Sequence, residues 1–306
     1  MQRIHGFGRA RGLITALLTV GALAVAGCTI GDDGSGVASH TAASTSPLVA
    51  PTLNPSASAS RSAPPSRPAP PEPALAASFK TLVAQTDATV GVAVAPVGGG
   101  PGLAFGAAGD VAWSTSKVPL AIAASVLGPS VQADTRSAII ESDNAAAQRL
   151  WERLGGGRTA AAKVQAVLRA DGDQQTTVNP FVTRPGYTAF GQTVWTYANQ
   201  AAFAAHLPCD PKAAPILQLM QDVDTDQHWG VQQLFDGSAV KGGWGPTTDG
   251  RYYVRQLAVL DRGQRKVAVS IGILAPDFGS GQTLLDTVGA WVHANFDRLP
   301  TGSCPA

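Results

Sequence analysis

Ser114 and Lys117 stand three residues apart at the head of an apolar run, Val111-Ala-Trp-Ser114-Thr-Ser-Lys117-Val-Pro-Leu-Ala-Ile-Ala-Ala124. In a helix this spacing stacks two side chains on one face, a turn apart. The first-turn N–H groups have no intrahelical acceptor and point outward at the positive end of the dipole. A hydroxyl, an amine beside it and a free N–H are the parts of an acyl transfer: nucleophile, base and oxyanion donor. The spacing alone does not single out Ser114, because a serine before a helix commonly serves only as its N-cap. The chain repeats it at Ser238-Ala-Val-Lys241, but there Asp236-Gly237 precedes the serine and the lysine enters a strand.

Two later stretches add to Ser114. Glu141-Ser142-Asp143-Asn144 comes first, then Val240-Lys241-Gly242-Gly243-Trp244 ahead of a strand pair. Two of the chain's six lysines, Lys117 and Lys241, fall in the three motifs. The order Ser-x-x-Lys, Ser-Asp-Asn, Lys-(Thr/Ser)-Gly resembles the penicillin-recognising serine enzymes, class A β-lactamases and penicillin-binding proteins. The segment from Ser142 through Trp151 to Leu154-Gly-Gly also looks like the one that follows Ser-Asp-Asn in class A enzymes. The resemblance covers residues of about 75–299. It implies an α+β fold, a sandwich of antiparallel sheet with flanking helices plus an all-helical lobe. It implies roles as well. Ser114 attacks an acyl carbonyl and Lys117 is its base. Ser142 passes a proton to the leaving nitrogen, and Lys241 steers it and the substrate carboxylate. Asn144 binds the substrate amide. Gly243 and Trp244 form the wall after Lys241, the Trp244 N–H joining that of Ser114 on the oxyanion. Arg251 is a partner for a substrate carboxylate.

Three departures from that pattern carry expectations. Ser114 and Ser142 are 28 positions apart, shorter than in class A enzymes. A helix from residue 114 to about 127 runs ~20 Å, and a return helix over 131–141 runs ~16 Å at 1.5 Å per residue. Gly128-Pro129-Ser130 between them makes a hairpin that brings Ser142 back to Ser114, with one wall of the site missing and the site more open. Second, no Asp or Glu occurs from Gln174 to Cys209. In class A enzymes a glutamate in the corresponding loop activates the deacylating water. Asp171 and Asp173 stand at the start of the loop, and Asp173 reads as structural. Third, Gly242 replaces the hydroxyl residue of Lys-Thr-Gly, and a lost charge-assisted hydrogen bond costs ~1.5–3 kcal/mol. The reading is therefore an acyl-enzyme former with impaired deacylation. Two alternatives stand beside it: a non-catalytic envelope protein that uses the cleft to bind peptidoglycan or a protein, and a DD-peptidase or esterase.

The elements that must position these residues follow from patterning. Residues 1–27 read as a lipoprotein signal peptide. Arg3, Arg9 and Arg11 precede an apolar run too short for a membrane span, ending Val25-Ala26-Gly27-Cys28. Lipid on Cys28 would tether the protein to the outer face of the cell membrane. Residues 28–74 form a Ser/Ala/Pro-rich linker, with nine prolines from Pro47 to Pro73, unable to bury enough surface to fold. Residues 75–306 form the catalytic-type domain. Helices are expected over about 75–85, 144–154, 159–168, 195–207, 214–223 and 282–296. Strands are expected over 90–95, 103–106, 251–260 and 266–274, and Lys241 opens another. Cys209 and Cys304 are an even pair for a disulfide in an oxidising compartment. With 22 basic and 21 acidic residues the net charge is +1, which gives nucleic acid no clustered basic face. There is no Gly-x-Ser-x-Gly elbow and no His-Glu-x-x-His, so neither a Ser-His-Asp hydrolase, a metal nor another cofactor is expected. A β-lactam-like ligand and peptidoglycan are the partners considered.

Overall fold

A computed structural model describes residues 70–305 of the chain. The signal peptide, Cys28 and nearly all of the linker lie outside the described residues. β-Branched residues at every second position build the sheet. Val90, Val92 and Val94 on β1 (Thr89–Pro96) face the same way as Val267, Val269, Ile271 and Ile273 on β7 (Arg265–Ala275). With β2 (Leu103–Gly106), β5 (Ala239–Pro246) and β6 (Tyr252–Arg262) they make one antiparallel sheet, in the order β2-β1-β7-β6-β5. The Val/Ile face packs on α1 (Pro73–Val83) and α8 (Phe278–Ala294) through Leu75, Phe79, Leu285, Val288 and Trp291.

The opposite face carries smaller residues, Ala93, Ala95 and Ala268, with Leu257 and Val259. Here α6 (Tyr197–His206) lies close to β1 and β7. Gly91 and Gly272 are register partners, and a Cβ on either would fall within 2.4 Å of the Tyr197 ring. The all-helical lobe continues from this side. Its centre is α2 (Lys117–Ala124), buried at all eight positions. Around it stand α3 (Gln132–Ile140), α4 (Asn144–Arg153), α5 (Gly157–Ala170) and α7 (Ala214–Gln221). The α+β architecture expected from the motifs is the one observed.

Local details differ from expectation. The first helix of the hairpin is not continuous from Ser114 to residue 127. A 3₁₀ turn, Trp113–Ser116, precedes α2, and another, Ser125–Val131, follows it. Gly128 takes φ 73° in the second turn, so the chain reverses as expected. Trp195 is not helical. It lies in β4 (Val194–Thr196), paired with β3 (Gly109–Val111), and α6 begins only after Thr196, whose hydroxyl accepts from the Asn199 N–H at 3.1 Å. A capping threonine stops the helix from extending backwards.

A buried arginine ties this small ribbon to the sheet. Arg255 of β6 is wholly buried and donates to the carbonyls of Asp110 (2.8 Å), Val111 (2.9 Å) and Trp195 (3.2 Å) and to Gln200 Oε1 (2.8 Å). Gln200 in turn donates to Thr115 Oγ1 at 2.9 Å. The turn that carries Ser114 is thus fixed from beneath by neutral acceptors. Cys209 and Cys304 are joined in a disulfide, their Cα atoms 5.3 Å apart. No helix among the described residues is long and apolar enough to cross a membrane.

Candidate active site

Ser114 sits in the 3₁₀ turn ahead of α2, not at the α-helix cap. A 3₁₀ turn has three residues per repeat, so positions i and i+3 eclipse. Lys117 Nζ accordingly lies 3.0 Å from Ser114 Oγ. Trp113, just before the serine, holds a left-handed φ of 47°, rare for a bulky side chain and a cost borne by the surrounding contacts. Ser142 is the other non-glycine residue in that region among those described, with φ 56°. Its geometry follows from the next residue. Asp143 caps α4, accepting from the N–H groups of Ala145 (2.6 Å) and Ala146 (3.2 Å). The cap turns Ser142 inward and leaves Asn144 as the exposed first residue of α4.

The three motifs meet at Ser142. Its Oγ is 3.2 Å from Lys117 Nζ and 2.8 Å from Lys241 Nζ, and its carbonyl also accepts from Lys117. Lys241 is the third residue of the edge strand β5 and is wholly buried, donating also to Gln227 Oε1 at 2.8 Å. Burial drives Lys117 down to about 7, against a smaller opposing pull from Asp143. Lys241 is lowered well below the ordinary lysine value, first by burial and then by Lys117, with Asp226 opposing. Both amines thus approach the neutral form in which nitrogen can take a proton. Ser114, Lys117, Ser142 and Lys241 form one continuous polar chain.

Gly243 brings β5 against the turn that carries Ser114. A Cβ there would stand 3.0 Å from the N atoms of Ser114 and Thr115 and from the Ala112 carbonyl. Gly242 has a different reason. A Cβ at that position would fall 2.7 Å from the buried Trp229 ring, so this indole occupies the space a threonine would need. Gly242→Thr is therefore expected to destabilise the protein by about 1–3 kcal/mol through overpacking. Thermal denaturation beside acylation kinetics checks this; an undiminished melting temperature with faster acylation would refute it.

Ser114 and Lys117 open on a cavity of about 540 Å³, with Asn144 and Gln148 of α4, Trp244–Pro246 of β5, and Val182, Gly186–Thr188 and Phe190–Gly191 of the acid-free loop. Trp113 and Tyr252 complete its aromatic lining. No Asp or Glu contributes to it. Ser142 and Lys241 lie beyond Lys117, off the cavity wall. Arg251 does not belong to the site. It pairs with Asp249 at 2.9 Å in the exposed turn between β5 and β6 and is not among the residues that line the cavity. Asp173 is structural, as expected: it accepts from Gln175 N, Thr176 N and Trp195 Nε1 (3.0, 2.9 and 2.8 Å).

Several supporting residues give no sequence signal. Gln227 holds Lys241 and donates to the Ile140 carbonyl at 2.7 Å. Gln192 clasps the acid-free loop, accepting from Thr183 Oγ1 and Arg184 N, each at 2.6 Å. Both are single amides in irregular segments. A larger hollow of about 740 Å³ lies between the β1–β2 hairpin and α6, floored by glycine and alanine. It contains none of the motif residues, so the smaller cavity is the candidate site.

The chain matches no protein-family model and no curated protein sequence. Its fold does match solved structures. A doubly substituted variant of the class A β-lactamase of the last common ancestor of Gram-negative bacteria aligns with TM-score 0.58 and 22% identity, over 73% of this chain and 99% of that one. A structure of PBP-A aligns with TM-score 0.59 and 19% identity, over 77% and 99%. The TLA-3 extended-spectrum β-lactamase aligns with TM-score 0.58 and 14% identity, over 73% and 98%. At these identities the likeness is one of fold: this domain has the architecture of the class A β-lactamases and PBP-A.

Proposed function

We propose that the protein is a serine acyl-transfer enzyme of the penicillin-binding kind, which acylates on Ser114 and releases the acyl group slowly. The observation that supports this best is the unbroken chain Ser114–Lys117–Ser142–Lys241, with both amines lowered by burial. Ser114 Oγ attacks the carbonyl carbon as its proton moves to neutral Lys117 Nζ. The oxyanion is held by the N–H groups of Ser114 and Trp244. When the carbon–nitrogen bond breaks, Lys117 returns the proton through Ser142 Oγ to the leaving nitrogen. An anionic group on the leaving side would favour the charged form of Lys241, which burial disfavours.

Deacylation needs a base for water, and the cavity lining contains no carboxylate. Asp143, the acid beside Lys117, is committed to capping α4. A missing general base costs about 10²–10⁴ in rate. The acyl-enzyme is therefore long-lived, and cell-wall peptide or a β-lactam is the acyl donor class. The protein works outside the cytoplasm, held to the membrane by lipid on Cys28.

Intact mass after incubation with benzylpenicillin tests the reading. A persistent adduct on the parent, absent from Ser114→Ala, is expected. No adduct and no antibiotic consumed would overturn it in favour of a non-catalytic envelope binder. Antibiotic consumed without an adduct would mean that another group activates water.

A further inference from the structure

The loop over the site carries one cation and no acid. Arg184 is half-buried, and its backbone N–H is held by Gln192. Its guanidinium lies 4.6 Å above the Tyr187 ring, and its Nη1 donates to the carbonyl of Pro246. Tyr187 and Pro246 both line the cavity. No carboxylate pairs with Arg184 among the described residues. Nε and Nη2 make no hydrogen bond there either, so the planar fork that suits a carboxylate is unspent. On the same Tyr187 ring, edge-on at 5.1 Å, packs Trp113. Its Nε1–H is buried without an acceptor among the described residues, and its ring lines the cavity next to Ser114.

Position decides which part of a substrate these donors meet. Ser142 Oγ lies against Lys241, near the start of β5, so the leaving nitrogen, which must receive the Ser142 proton, lies there. Pro246 is at the far end of the strand, ~16 Å on at about 3.3 Å per residue. Ser114 faces Gly243 between them. The acyl portion thus runs from Ser114 towards Trp113, Tyr187 and Arg184.

We propose that Arg184 is a specificity-determining residue that selects acyl donors bearing a carboxylate on the acyl side of the scissile bond. The placement of the acyl side rests on the acyl-transfer reading above. The carboxylate is distinct from any on the leaving side, which Lys241 would meet.

Benzylpenicillin and carbenicillin make the test, because they differ by one carboxylate on the acyl side and share the ring carboxylate. Affinities are read by NMR titration on Ser114→Ala, in which no acyl-enzyme forms, and acylation rates on the parent. Carbenicillin should bind about tenfold more tightly, the ratio one charge-assisted hydrogen bond at a partly hydrated site supplies. The ratio should fall towards one in Ser114→Ala/Arg184→Gln, take an intermediate value with Arg184→Lys, and shrink in Ser114→Ala at about 1 M salt. An Arg184 that only ties the loop to β5 would change both affinities together and leave the ratio alone. A ratio of one or below in Ser114→Ala, a ratio that survives Arg184→Gln, or no binding of either compound overturns the proposal. A tenfold ratio with no adduct on the parent would keep Arg184 as a binding determinant and remove Ser114 as nucleophile, so the two readings fail separately.

Discussion

Lys117→Met should lower the rate of acylation by benzylpenicillin about 10²–10⁴-fold, the usual contribution of a positioned general base. The parent's rate should rise with pH through about 7 and level off above, because only the neutral amine accepts the Ser114 proton and burial sets its pKa at about 7. Below that point the rate should fall roughly tenfold per pH unit. The variant should lose this limb of the profile, not merely shift it. Methionine keeps the apolar length of the side chain, so a pure packing role would leave the profile's shape intact. A slope centred near 10 in the parent would mean that Lys117 keeps an ordinary lysine pKa and is not the base. The same burial has a consequence for stability with a definite sign. The folded pKa lies below the unfolded value of 10.5, so the unfolded chain binds more protons between about 7 and 10.5. Stability therefore rises with pH across that window, and the penalty is complete below about 7. Lys117→Met removes the penalty, so its melting temperature should exceed the parent's by most at pH 6 and by progressively less towards pH 10. Loss of rate with gain of stability is the signature of a strained functional group and would not arise from damage to the fold.

The parts of this site that could be read in advance are those set by short-range geometry. Ser114 and Lys117 meet because three residues span one turn, whichever kind of helical turn forms. Asp143 places Ser142 through a cap with its own neighbours. The strand hairpin after Lys241 is announced by alternating β-branched residues. What escaped reading depends on contacts that are remote in sequence. Arg255 reaches Asp110 and Val111 across 145 and 144 positions, and nothing near Arg255 marks it as wholly buried. The ribbon of β3 and β4 escaped because strands of three residues are too short to show alternation. For the same reason the sequence pattern alone runs Trp195 into the following helix. Arg251 reads as a partner for a substrate carboxylate, yet the turn that follows β5 carries it out to Asp249. Gly242 is the most instructive case. Its missing hydroxyl is visible in the sequence, but its cause is Trp229, whose ring approaches from a segment of irregular 3₁₀ turns. The substitution is thus part of a packing solution, and restoring threonine alone restores nothing.

Removing the Cys209–Cys304 disulfide should lower stability by about 4–5 kcal/mol, since a cross-link over 95 residues takes that much loop entropy from the unfolded chain in the chain-entropy model. For a domain of this size that corresponds to a fall in melting temperature of roughly 10–15 °C. The native contacts around the bond argue that the loss falls mainly on the unfolded side. The segment after α8 is held without it. The Gly302 N–H donates to the Lys266 carbonyl at 3.0 Å, and the backbone at Ser303 packs directly on Gly98. The folded state of Cys209→Ser/Cys304→Ser should accordingly keep its tail in place. Cys209 ends the 3₁₀ turn that follows α6, and α6 supplies the Gln200 that supports Thr115 beside the nucleophile. That support runs through Arg255 and Ser270, not through the disulfide. Acylation at 25 °C should therefore survive in the double variant while the denaturant midpoint drops at unchanged slope, the pattern of lost stability with an intact native state. A melting temperature within about 2 °C of the parent's would show that the cross-link constrains little. A lost acylation rate at full stability would show instead that α6 transmits the bond's constraint to Ser114.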